Sequence, residues 1–172
     1  MAVHKILKMG DPRLLDVSEA VRDVSGQDIQ DLIRDMKETM EANDGAGLAA
    51  PQVGIPKRVV IFGVAHNPRY PEVEPIDMTV LINPEIEILD NSLEGGWEGC
   101  LSIPGMRGLV PRYRKIRYQG VNEFGEPISR VVSDFHARVV QHEVDHLDGI
   151  LYPMRMPNLS NFGYEDSLFS GI

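Results

Sequence analysis

The sequence predicts an α+β domain in which one helix, bearing a pair of histidines, packs centrally among mostly antiparallel β-strands. Three observations lead there. Apolar residues recur at helical spacing in two widely separated segments, about 26–42 and 135–148. Between them lie short β-branched or alternating runs broken by Pro, Gly and Asn, as strands joined by turns are. The strands come as a group before the second helix, which favours helix packed on antiparallel sheet over a βαβ alternation.

Composition sets the outer limits. With 172 residues the chain is long enough for one domain with a real core, so a single domain over 1–172 is expected, with an irregular tail from about 153. A formal net charge of −9 argues against broad nucleic-acid binding through phosphate neutralisation. One cysteine excludes an internal disulfide and fits a reducing compartment. The first ten residues hold no apolar run of signal-peptide length, and no segment approaches the ~20 apolar residues of a spanning helix. A cytoplasmic protein, or the mature form of an organellar one, is expected.

Along the chain, Asp11-Pro12 suggests a cap and a first helical position, with a short turn over Arg13-Leu14-Leu15. Ser25 and Asp28 have capping-box spacing. Ile29, Leu32, Ile33, Met36 and Met40 follow at offsets 0, 3, 4, 7 and 11, which predicts an amphipathic helix over about 26–42, ended by Asn43-Asp44-Gly45. The small-residue run Gly45-Ala46-Gly47-Leu48-Ala49-Ala50-Pro51-Gln52-Val53-Gly54 reads on its own as a tight loop, without the Lys-Ser/Thr ending of a phosphate loop. Residues 58–64 read as a β-branched strand and 65–77 as a proline-rich surface loop. Strands are expected at 78–82 and 85–89, on either side of Asn83-Pro84. Residues 109–111, 115–121 and 127–133 alternate like half-buried strands, and Asn122-Glu123-Phe124-Gly125 turns between the last two. Arg112, Arg114, Lys115 and Arg117 make a basic cluster, read first as a solvated strand face and second as a docking patch for an acidic partner. In the tail, Pro157, Asn158, Ser160, Gly163, Ser170 and Gly171 interrupt any helix, while Phe162, Tyr164, Leu168 and Phe169 offer contacts to the body.

The second helix carries the chemistry. Gln141-His142-Glu143-Val144-Asp145-His146 contains His-Glu-x-x-His. Four residues is just over one helical turn, so both imidazoles project from one face and can share one metal ion. Glu143 lies about 100° round the helix, where a long carboxylate reaches a water at that ion without competing for it. Ser133 and Asp134 can cap the helix, Phe135, Val139, Val140, Val144 and Leu147 supply its apolar spacing, and Gly149 stops it. A hydrolytic site of this kind usually has three protein ligands and one open position. His136, six residues before His142, falls on another face of the same helix, and His4 and His66 stand in unremarkable contexts. Cys100 lies in the glycine-rich Gly95-Gly96-Trp97-Glu98-Gly99-Cys100-Leu101-Ser102, where backbone can approach a site closely. A lone cysteine is more often a small buried apolar residue than a ligand, but beside a histidine pair short of a third donor the balance tips toward ligand.

Three stretches together resemble, in order and spacing, the signature motifs of peptide deformylases. They are Gly45-Ala46-Gly47-Leu48-Ala49-Ala50-Pro51-Gln52, Glu98-Gly99-Cys100-Leu101-Ser102 and Gln141-His142-Glu143-Val144-Asp145-His146. The resemblance implies an α+β fold and hydrolytic removal of the formyl group from the initiator methionine of nascent N-formylmethionyl peptides. It implies that Cys100, His142 and His146 bind a divalent metal, commonly ferrous iron, with zinc or nickel able to replace it. It makes Glu143 the general base, Gln52 and the Leu101 N–H the oxyanion donors, and Gly47 a backbone partner of the substrate. An apolar pocket for the methionine side chain is expected, with Ile103 and Val139 as walls. A monomer that makes transient contact with the ribosome is part of the same expectation. Many bacterial members end in a long helix, whereas this chain ends in a broken tail, a difference that bears on C-terminal docking rather than on the chemistry.

Two other readings compete. An endopeptidase with the same helix motif needs a downstream third ligand; Tyr152 stands where a third histidine belongs, and Glu165, 19 residues after His146, is the available carboxylate. A non-enzymatic metal-binding protein would need a closed site, which three ligands beside a free carboxylate do not make.

Overall fold

A computed structural model describes residues 2–65, 72 and 74–170. The proline-rich stretch expected as a surface loop, including His66, lies largely outside them. Pro12–Leu15 forms a 3₁₀ turn whose cap, Asp11, accepts from the Arg13 N–H. Helix α1 runs Gln27–Ala42 and buries Ile29, Leu32, Ile33, Met36 and Met40, the stripe that the spacing predicts. Gly26 rather than Ser25 is its N-cap. The Ser25 hydroxyl donates instead to Asp23 Oδ1 at 2.6 Å, a local acceptor that outcompetes the helix end.

The strands are β1 (Gly47–Ala49), β2 (Val59–Val64), β3 (Ile76–Cys100), β4 (Ile103–Val121), β5 (Pro127–Ser133) and β6 (Phe162–Tyr164). Two of them are much longer than the sequence suggests, because β3 and β4 each join runs expected as separate strands. All pair antiparallel in one sheet of order β1-β2-β3-β4-β5, with β6 added to β4. Asn83-Pro84 does not end a strand but sits in a register shift within β3. Asn83 takes φ +51° there, and its side chain bonds both the N–H and the C=O of Val21. The small-residue run expected as a loop contains β1 and a 3₁₀ turn, Ala50–Val53. The glycine-rich run before Cys100 is strand as well, the end of β3, which turns at Leu101-Ser102 into β4.

Two helices cover opposite faces of the sheet. On β2, Val59 and Ile61 pack in one cluster with α1, while Val60 and Phe62 pack in another with α2, Asp134–Leu147. That alternation is the period of a strand, and because both faces are covered β2 reads as an unbroken apolar run. Each such side chain contributes roughly 1.5–3 kcal/mol on burial, more than exposed ion pairs supply, so apolar packing sets where α2 lies. Every residue of α2 from Val139 to Leu147 is buried. Its polar members therefore need partners. Gln141 finds them on β4, donating to the Tyr113 C=O at 2.8 Å and accepting from the Tyr113 N–H at 3.1 Å. Gly149, at φ +71°, stops the helix as expected, and a Cβ there would collide with the Leu15 backbone.

After α2 come 3₁₀ turns at Tyr152–Arg155 and Leu159–Asn161, then β6 and the four-residue α3, Glu165–Leu168. Phe162 meets Tyr152, and Phe169 sets its ring edge-on to Trp97 at 5.2 Å. No helix among the described residues is long and apolar enough to cross a membrane.

Candidate metal centre

Cys100, at the end of β3, and His142 and His146, one turn apart on α2, bring one sulfur and two ring nitrogens within 4.8 Å of one another. Cys100 Sγ lies 3.3 Å from His146 Nε2. Among the described residues this is the one grouping of three such donors. Glu165, the endopeptidase reading's ligand, pairs instead with Arg107 at 3.2 Å and takes no part in the cluster. His136 packs on Phe62 and Tyr118, and His4 bonds Asp35.

The donors are fixed in place by their neighbours. His142 Nδ1 is 2.8 Å from Glu98 Oε1, which leaves Nε2 as its free donor. Tyr152 stacks on the same ring, 6.0 Å away. Burial opposes charge on both rings; neighbouring Cys100 and Glu98 nonetheless raise the pKa of His142 well above that of a free imidazole, whereas burial and His142 hold that of His146 well below it. Burial also opposes ionisation of Glu98, but hydrogen bonds from Arg112 and His142 hold its carboxyl far below the usual range. Arg112 forks onto Glu98 with two bonds of 2.9 Å and reaches Asp145 Oδ2 at 2.5 Å. Arg155 then bonds both oxygens of Asp145. Arg112 is thus buried at the heart of the site, against the expectation of a solvated basic face. Arg114 and Arg117 do stay exposed, paired with Asp134 and Glu87.

Glu143 borders the same cavity, and burial pushes its pKa up to about 7, in spite of the opposing influence of His142. Its Oε2 is buried without a hydrogen-bond partner among the described residues, as fits a group that awaits a ligand or a reacting proton. A Cβ on Gly47 would collide with the Glu143 carboxylate, so only glycine lets β1 pass this close. Gln52 is fully buried, accepts from the Ala49 N–H, and aims its amide nitrogen at Ser102 Oγ (3.0 Å) and Cys100 Sγ (3.4 Å). Gly47, Gln52, Leu101, Val139 and Glu143 all line the cavity beside the donors. Ile103 does not: it is buried with Leu14, Val110 and Leu151, because its strand turns that face to the core. Trp97, Phe135 and Arg138 line the cavity instead.

Sequence reasoning missed Glu98 and Arg138 as site residues. The signal for Glu98 was there, since residues two apart on a strand share a face and Glu98 stands two before Cys100. A Glu98→Gln protein is expected to lose metal roughly 10–100-fold more readily. It also leaves Arg112 one charge short in a buried setting, so its unfolding midpoint should fall. Equilibrium dialysis against a chelator and urea denaturation measure the two effects; unchanged metal retention would remove Glu98 from the site.

A HExxH helix, a third donor from a strand and a buried carboxylate at an open cavity define a metal-dependent hydrolase. Comparison with known proteins narrows this. A family model for polypeptide deformylase matches residues 3–162. Peptide deformylase 1 of Nitrosomonas europaea is 57% identical over 169 residues, spanning 98% of this chain and 96% of the relative. Peptide deformylase 2 of Ralstonia nicotianae is 54% identical, over 97% of this chain and 94% of the relative. Among solved structures, a Met-Ala-Ser-bound class I type b peptide deformylase from Acinetobacter baumannii superposes with a TM-score of 0.86 at 38% identity, covering 90% of this chain and 99% of that one. The chain belongs to the peptide deformylase family.

Proposed function

We propose that the cavity is the catalytic centre for hydrolysis of the formyl group from N-formylmethionyl nascent peptides, releasing formate and a free amine. The observation that carries this is the meeting of the Cys100 sulfur with both imidazoles beside the unpartnered carboxylate of Glu143. Cys100, His142 and His146 would hold a divalent cation, which would supply Lewis acidity and lower the pKa of water toward ~7. Glu143 Oε2 takes the proton of the attacking water and later delivers it to the departing nitrogen, since an amide nitrogen leaves badly as an anion. The Gln52 amide and the Leu101 N–H meet the charge that grows on the formyl oxygen, and one such donor is worth about 3 kcal/mol of barrier. Gly47 brings the edge of β1 beside an extended substrate. Val139, Phe135 and Trp97 wall the pocket for the methionine side chain.

Ferrous iron is the physiological metal in this reading, with Zn2+ or Ni2+ able to replace it; a thiolate donor suits all three and leaves an iron site open to oxidation. The enzyme acts as a monomer in the cytoplasm and meets its substrates in passing at the ribosome. Net charge −9 supports no stronger hold on RNA. The test is anaerobic iron-loaded protein mixed with a formyl-methionyl peptide. Formate should appear in step with new free amine, and the acetyl peptide should react far more slowly. Cleavage at an internal bond, or amine without formate, would overturn the proposal.

A further inference from the structure

Arg138 stands one turn before His142 on α2, and the reaction above gives it no part. Its Nη1 donates to Glu98 Oε2 at 2.9 Å and to the Val110 C=O at 2.7 Å, and its Nη2 donates to the Glu94 C=O at 2.6 Å. One side chain therefore ties α2 to both β3 and β4. It lies face-on over Gly96: a Cβ there would stand 2.5 Å from Cζ, 2.6 Å from Nε and 2.7 Å from Nη2. Its side chain is 12% exposed, and it borders the cavity beside Trp97 and Phe135.

Glu98 completes the argument. A carboxylate offers about four acceptor positions. Oε1 takes bonds from His142 and Arg112, and Oε2 takes bonds from Arg112 and Arg138. Removing Arg138 frees one corner of the group that orients His142. We infer that Arg138, seated on Gly96, is a positioning residue that couples filling of the side-chain pocket to the orientation of His142 through Glu98. This rests on the deformylase reading. A side chain long enough to press on the guanidinium then improves turnover as well as binding, because contact far from the reacting atoms is used to order the site.

The test compares the wild type with Arg138→Met, which keeps length but loses the donors, and Arg138→Lys, which keeps the charge and a point donor but loses the planar fork. Gly96→Ala serves as a second route, since it keeps the arginine but lifts it from its seat. The readouts are the visible spectrum of the cobalt-loaded protein, the rate of metal loss to a chelator, and separate kcat and KM on formyl-methionyl and formyl-alanyl peptides. Arg138→Met should release metal roughly 10–100-fold faster and shift the cobalt bands. Its kcat advantage for methionine over alanine should shrink by about tenfold. Arg138→Lys should fall between, and Gly96→Ala should move the same readouts in the same direction. If Arg138→Met does not fold, Gly96→Ala alone decides. Unchanged spectrum, metal release and kcat ratio, with only a lower Tm, would reduce Arg138 to a structural tie and overturn the inference. A wild type that holds cobalt but yields no formate would overturn the deformylase reading instead, while the spectra and metal release still judge Arg138.

Discussion

Replacing Glu143 with alanine is expected to leave metal and fold in place while turnover falls by roughly 10²–10⁴-fold. The side chain makes none of the donor contacts of the cluster, so its loss does not open the metal site. What disappears is the group that holds a proton between attack and departure. Its environment suits that role, because burial raises its pKa to about 7, where it can both accept and return a proton at cellular pH. Glu143→Gln keeps the volume and removes only the basicity, so it should fall as far as the alanine variant. Metal content from elemental analysis and kcat on a formyl-methionyl peptide measure the outcome. Turnover within a few-fold of wild type in a metal-replete variant would end the general-base assignment.

Replacing Cys100 with alanine should cost the metal itself. A site of this type spreads its binding free energy over a few donors, so losing one should weaken affinity on the order of 10²–10³-fold or more. Two imidazoles on one helical turn then remain, with nothing on β3 to complete the set. Glu165→Ala is the matching control, because Glu165 pairs with Arg107 rather than facing the cluster. It should keep metal and activity. Metal-to-protein ratios after dialysis against a mild chelator separate the cases. A Cys100→Ala protein that keeps its metal, with loss on Glu165→Ala, would restore the endopeptidase reading.

The parts of this molecule that sequence reading reached share one property: their signals are local. The stripe at Ile29, Leu32, Ile33, Met36 and Met40 and the spacing of His142 and His146 each lie within a few helical turns. Strand limits were harder. Asn83 and the glycines before Cys100 look like breaks, yet β3 runs through both, because a bulge pinned to Val21 and guanidinium groups lying over Gly96 and Gly99 give those residues a reason to be in a strand. Ile103 has a wall residue's chemistry, but the turn at Leu101-Ser102 sends it to the core.

Taken alone, the order of residues determined the helix that carries the histidines and the glutamate beside them, since helical period and a short motif depend only on near neighbours; that the Cys100 sulfur meets both rings was decided by folding. Folding decided that Arg112 is interior, that Glu98 stands behind His142 and that Arg138 rests on Gly96. Those pairings join groups tens of positions apart, and a buried charge is placed by whichever opposite charge the packing brings to it.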